Sequence, residues 1–156
     1  MNDASELLNS CVSQGLVIGT AESCTGGLLS ALLTSIPGSS KAFDRGFVTY
    51  TDLAKNQMLN ISSDLIKNNG AVSKEVCLNM LRNIAKIGNT KVALSITGIA
   101  GPGGGSISKP VGLVYIGIKN NKKNYVKKFI FKNKSRRYIQ NATVNTSLKL
   151  ILSIIK

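Results

Sequence analysis

The sequence predicts a single-domain, three-layer α/β sandwich on a mixed β-sheet, and three observations carry that prediction. Stretches of helical and of strand periodicity alternate along the whole chain, with no internal repeat and no linker. Val92-Ala93-Leu94-Ser95-Ile96-Thr97 is almost wholly apolar, as a central strand covered on both faces must be. Val111 to Ile118 and Tyr125 to Phe131 flank Asn120-Asn121-Lys122-Lys123 and read as a hairpin, which brings antiparallel strands to the sheet. At 156 residues the chain can bury a proper core.

In chain order, residues 4–14 read as a first helix, with Leu7, Leu8, Cys11 and Val12 on one stripe and Gly15 as its C-terminal cap. Gly15 to Gly19 reads as the end of a buried strand. Thr20 to Gly27 is then a turn, and Leu28 to Leu33 a helix that stops before Ile36-Pro37-Gly38. Phe43 to Tyr50 reads as a second strand, with Gly46 as a bulge. Thr51 caps a helix carrying Leu53, Ala54, Met58 and Leu59. Residues 61–70 read as a connector with one helical turn from Asp64. Ser73 caps a long helix whose apolar face runs from Val76 to Ile87 and which ends at Gly88. The last helix runs from about Arg136, and its end, Leu148 to Ile155, is apolar on more than one side. That end is either deeply buried or part of a subunit interface.

Composition excludes several chemistries. There is no histidine, which removes Ser-His-Asp and Cys-His catalysis and the commonest zinc ligand. Cys11, Cys24 and Cys77 are scattered and odd in number, which suits a reduced, cytoplasmic setting rather than a disulfide framework. No apolar run reaches membrane-spanning length, and Met1-Asn2-Asp3 lacks the basic start of a signal peptide, so no membrane partner is expected. The net charge is +13, yet all 7 acidic residues lie within 1–75 and residues 76–156 hold 15 basic ones. Such a half suits nucleic acid. The richness in Lys, Asn and Ile throughout also fits drift in an AT-rich genome, with the lysines on solvated faces. No aromatic nucleic-acid motif accompanies them, and the plainer reading is favoured.

Two stretches carry chemistry. Thr20 to Gly27 places hydroxyls at Ser23 and Thr25, a thiol at Cys24 and two glycines between a strand and a helix. The free N–H groups of that helix's first turn would attract negative charge, permanent or developing. Taken alone, the turn reads more readily as an N-cap with glycine-rich packing. Gly98 to Ser106 holds five glycines and a proline but matches neither a Walker loop nor a dinucleotide fingerprint.

The motifs Ala21-Glu22-Ser23-Cys24-Thr25-Gly26-Gly27, Gly46-Phe47-Val48-Thr49-Tyr50, Gly70-Ala71-Val72-Ser73, Ser95-Ile96-Thr97-Gly98-Ile99-Ala100-Gly101-Pro102 and Lys109-Pro110-Val111-Gly112 occur together in this order. The set resembles the C-terminal domain of the CinA (competence/damage-inducible) family, the nicotinamide-nucleotide amidases, over nearly the whole of 1–156. The resemblance implies hydrolysis of nicotinamide mononucleotide to nicotinate mononucleotide and ammonia, in pyridine nucleotide salvage, without metal or cofactor. Longer family members carry a further N-terminal domain, which is not expected here. By resemblance Ser23 is the nucleophile, Lys55 its base, and Tyr50 a hydrogen-bond partner of Lys55 or substrate. The same resemblance makes Glu22, Cys24, Thr25, Gly26, Gly27, Thr97, Gly98, Gly101, Gly103, Gly104 and Arg136 the substrate-binding set, with Arg136 meeting the phosphate. N–H groups around Cys24 to Gly26 are candidates for the oxyanion site. Many relatives carry a second arginine one helical turn after the first, where this chain has Gln140. Cys24, with no histidine to activate it, is expected to pack rather than react. A homo-oligomer is the expected assembly. The alternative, from another class, is a catalytically silent nucleotide- or nucleic-acid-binding protein related to competence.

Overall fold

The computed structural model describes residues 2–132 and 135–155. Two basic residues of the 76–156 half, Lys134 and Lys156, lie outside them. A five-stranded sheet forms the middle layer, in the order β2-β1-β3-β4-β5. Its strands are β1 Ile18–Glu22, β2 Phe43–Val48, β3 Val92–Gly98, β4 Leu113–Asn120 and β5 Lys123–Ile130. β1 runs parallel to both β2 and β3, while β4 and β5 add an antiparallel hairpin, so the sheet is mixed. The helices are α1 Asn2–Ser13, α2 Leu28–Thr34, α3 Asp52–Leu59, α4 Ser63–Asn69, α5 Lys74–Gly88 and α6 Arg136–Ile155. One apolar cluster joins α1, α2 and α6 to one face of the sheet, and a second joins α3, α4 and α5 to the other. The three-layer prediction holds, with β3 buried at its centre from Val92 to Thr97.

Several boundaries differ from the sequence reading. β1 begins at Ile18, because Gly15 takes a left-handed φ of 63° and residues 15–17 are spent turning out of α1. Thr20, Ala21 and Glu22 therefore belong to the strand, not the turn. The irregularity of β2 falls at Asp44, where Ile18 pairs with Phe43 but Gly19 with Arg45, and not at Gly46. Gly46 is glycine for a different reason: a Cβ there would stand 2.6 Å from Thr20 Oγ1 and collide with Ser30 Oγ. Residues 63–69 form a full helix, capped by Ser62 Oγ accepting from Leu65 N at 3.0 Å. The hairpin turn is Asn121-Lys122 alone, with Asn121 at φ 53°.

The apolar end of α6 resolves to burial. Leu148, Ile151 and Ile155 are each at most 2% exposed, against α1 and the sheet. Among the described residues no helix is long and apolar enough to cross a membrane. The parallel strands β1, β2 and β3 all deliver their C-terminal ends to the same edge of the sheet, and the candidate site lies there.

Candidate active site

Ser23 follows β1 directly, and its N–H donates to Ile96 C=O at 3.0 Å, which continues the ladder to β3 by one residue. The chain then turns through Gly26 (φ 59°) and Gly27 (φ 96°), conformations that a side chain would strain. Thr51 Oγ1 accepts from Ala54 N at 3.0 Å and starts α3 just beyond β2. Helical side chains lean toward the N-terminus of their helix, so Lys55 points back to the strand end and to Ser23. Its Nζ lies 3.0 Å from Ser23 Oγ, 2.9 Å from Thr49 C=O and 3.4 Å from Tyr50 C=O. Lys55 is 1% exposed and Ser23 is 7% exposed. Burial lowers the Lys55 pKa from its ordinary value, against smaller opposing contributions from Asp52 and Cys24.

The valences at this amine can be counted. A neutral amine has two hydrogens and one lone pair. The Thr49 and Tyr50 carbonyls take the two hydrogens, which leaves the lone pair for the Ser23 hydroxyl. A protonated amine would present three hydrogens to the same three oxygens. The arrangement therefore holds Lys55 on either side of a proton transfer without moving it.

Glu22, expected in the substrate-binding set, is fully buried at the start of α2. Oε1 accepts from Ser30 N at 2.8 Å and Ser30 Oγ at 2.7 Å, while Oε2 accepts from Leu29 N at 3.1 Å and Thr25 Oγ1 at 2.7 Å. Thr20 Oγ1 lies 2.8 Å from Ser30 Oγ and extends the chain. The helix N-terminus that the sequence reading left open for a ligand is thus filled by the protein's own carboxylate. Thr25 is 1% exposed and its hydroxyl is spent on that carboxylate. Thr97 is also used internally, donating to Ala71 C=O at 2.9 Å.

A cavity of about 230 Å³ is lined by Cys24, Tyr50, Gly98, Ile99, Ala100, Gly101, Gly103, Gly104 and Arg136. Seven of these are in the predicted site, and Ile99 and Ala100 were missed, although they stand inside the motif that predicted their neighbours. Gly98 is glycine because a Cβ would stand 2.8 Å from Leu113 C=O and 3.1 Å from Cys24 Sγ. Arg136, the first residue of α6, donates to Gly101 C=O at 2.8 Å and to the Tyr50 hydroxyl at 2.5 Å. Tyr50 thus reaches Lys55 through its carbonyl and Arg136 through its hydroxyl, where the sequence reading expected a bond to Lys55 or substrate. Gln140 Nε2 donates to Cys24 C=O at 3.0 Å, which ties α6 to the Ser23 turn. The role of Gln140 was not foreseen. Gly26 N–H donates to Ser23 C=O at 3.0 Å, so of the oxyanion candidates Cys24 and Thr25 remain. The Cys24 thiol is 5% exposed and burial pushes its pKa up to about 12.

Two further motifs meet beside this site. Lys109 Nζ donates to Asn69 C=O at 2.6 Å, at the end of α4. A Cβ on Gly70 would stand 2.6 Å from that amine. Gly70 to Ser73 and Lys109 to Gly112 are therefore partners in one joint.

The CinA C-terminal domain family model matches residues 2–155. A solved structure of the competence/damage inducible protein CihA from Agrobacterium tumefaciens superposes with a TM-score of 0.96 at 39% identity, over 99% of this chain and 94% of that one. A CinA superfamily protein from Escherichia coli gives a TM-score of 0.93 at 31% identity, over 97% of this chain and 87% of that one. A Clostridium botulinum relative, provisionally named a competence-damage inducible protein, is 44% identical over 145 residues, 93% of this chain and 35% of its own length. The chain thus spans about a third of that longer relative. Sequence, fold and the match along the whole chain agree: the chain belongs to the CinA C-terminal domain family.

Proposed function

We propose that this protein hydrolyses a carboxamide through a Ser23–Lys55 pair, with nicotinamide mononucleotide as substrate. The observation that supports the chemistry is the buried Lys55 amine 3.0 Å from Ser23 Oγ, its pKa lowered by burial. The motif resemblance supports the choice of substrate. Ser23 Oγ attacks the carboxamide carbon and passes its proton to Lys55. The tetrahedral intermediate, its oxygen facing the Cys24 and Thr25 N–H groups, expels ammonia, which takes that proton. Water then attacks the acyl-enzyme and gives its proton to Lys55, and nicotinate mononucleotide leaves as Ser23 is reprotonated. Arg136 would meet the phosphate across the cavity.

The test is ammonia release by purified protein from nicotinamide mononucleotide, nicotinamide and glutamine in parallel. The expected result is turnover of the mononucleotide far above the other two. Arg136→Ala should raise KM for it by roughly ten- to a hundredfold, with a smaller fall in kcat, because the lost bond lies away from the scissile amide. No ammonia from any carboxamide would refute the hydrolase reading. Equal turnover of nicotinamide and its mononucleotide would refute the phosphate role of Arg136.

The Cys24 side chain supports turnover only by packing in this scheme. With its pKa at about 12, roughly one thiol in 10⁵ is ionised at neutral pH. Cys24→Ala should keep kcat within about fivefold of the parent and turnover should survive chelators. A Cys24→Ala protein that folds but has lost turnover would transfer the nucleophile to the thiol.

A further inference from the structure

A second concavity, larger than the one beside Ser23, lies elsewhere on the described surface. It lies at the opposite end of the sheet, where Lys91, Lys119, Lys122 and Lys123 surround a cup of about 650 Å³ with Asn120 and Asn121 among its walls. Lys91 precedes Val92, the first residue of β3, whereas Ser23 follows Glu22, which pairs with Ile96. At least about 13 Å of strand separates the two ends.

This cup is held by its own bonds. Asn121 N–H donates to Lys91 C=O at 2.8 Å, so the hairpin turn is fastened to the segment that enters β3. Asn120 Nδ2 donates to Ile154 C=O at 3.0 Å, which fixes the same turn to α6. The left-handed Asn121 keeps the turn to two residues and sets Lys122 and Lys123 beside Lys91. Four ammonium groups are thereby carried on a fixed frame.

Among the described residues, no acidic side chain lines the cup. Residues 76–156 contain no Asp or Glu. Asp44 lies at this end of the sheet, near Gly88, and is paired with Arg45, the one ion pair among the described residues. Like charges gathered on a rigid frame repel, and a ligand of opposite sign removes that penalty. Lysine binds phosphate as a point charge, and four of them exceed what one carboxylate or one phosphate monoester can neutralise. The volume suits a small molecule. No aromatic side chain lines the cup, so it lacks the stacking platform by which single-stranded nucleic acid is held.

We propose that this cup is a second anion site, separate from the Ser23 cavity, for a compact ligand bearing two or more phosphate groups. Calorimetric titration with inorganic tripolyphosphate at low salt tests it. One saturable site per chain is expected, weakening as salt rises. Lys91→Gln with Lys122→Gln should weaken binding at least about tenfold. Lys127→Gln with Lys128→Gln removes the same charge from β5 outside the cup and should change affinity less than about twofold. Arg136→Ala should leave it unchanged. No saturable binding, or equal loss from both lysine pairs, would reduce the cup to diffuse attraction and overturn the proposal. Loss with Arg136→Ala would place the probe in the Ser23 cavity and overturn it too. An oligonucleotide that binds more tightly than tripolyphosphate and depends on Lys127 and Lys128 would reject the compact ligand for nucleic acid.

Discussion

Lys55→Met should be inactive and at least as stable as the parent protein at neutral pH. Burying an amine costs desolvation, and methionine fills similar space without that cost. The same substitution removes the base, so turnover should fall by at least about 10⁴-fold, as should that of Ser23→Ala. The two act as one unit, and the double variant should be scarcely worse than either single one. Linkage gives an independent readout. The folded-state pKa of Lys55 lies below its unfolded value of 10.5. Between those two values the unfolded chain binds the extra proton, so this group's contribution to stability rises with pH across that window and levels off above it. As pH falls through the folded pKa the contribution is lost. Chemical denaturation of parent and Lys55→Met across that range should show the difference, with the parent gaining on the variant as pH rises. The kcat/KM of the parent should rise through the folded pKa as the amine becomes neutral. A Lys55→Met protein with substantial turnover would end the assignment of the base. A pH-independent stability difference would mean that burial does not lower this pKa.

Glu22→Ala should be the most damaging single change to stability among the site residues. It strands the N–H groups of Leu29 and Ser30, the buried Thr25 hydroxyl and the part-buried Ser30 hydroxyl, all of which now donate to one carboxylate. Bonds to a charged acceptor are worth about 1.5–3 kcal/mol each, and they are not additive. A net loss of at least about 3 kcal/mol is expected, or roughly 6–12 °C in Tm for a domain of this size. Glu22→Gln keeps one acceptor oxygen and should fall between. Thermal unfolding of the three proteins decides: if Glu22→Ala melts within about 2 °C of the parent, the carboxylate does not hold the start of α2. Loss of turnover in Glu22→Gln beyond its loss of stability would return the residue to the substrate.

The sequence carried the order of layers and the pairing of Ser23 with Lys55, for separate reasons. Periodicity showed α5 because Val76, Met80, Leu81 and Ile84 repeat on one face. Ser73 and Thr51 were legible because a hydroxyl before a periodic run has one dominant use. Glu22 was misplaced because its donors arrive from α2, and nothing local says that a strand carboxylate will meet a helix terminus. The Thr20–Ser30 contact had the same effect on β1: polar residues inside a buried strand imitate a turn. α4 carries little apolar surface, with Ile66 its buried residue, so its periodicity was faint. The Arg136–Tyr50 bond spans 86 residues of chain. Only the closing of α6 over the sheet edge creates it, and no spacing rule reaches that far.

That bond has a consequence for the pace of ligand capture. The Arg136 guanidinium donates to Gly101 C=O and to the Tyr50 hydroxyl. Under the proposed function, a phosphate entering the cavity competes with those two acceptors for the guanidinium, and its net gain is the difference between old bonds and new. Capture that has to exchange those bonds first runs slower than encounter by diffusion. Departure of the product is assisted, because Gly101 and Tyr50 stand ready to reclaim the arginine.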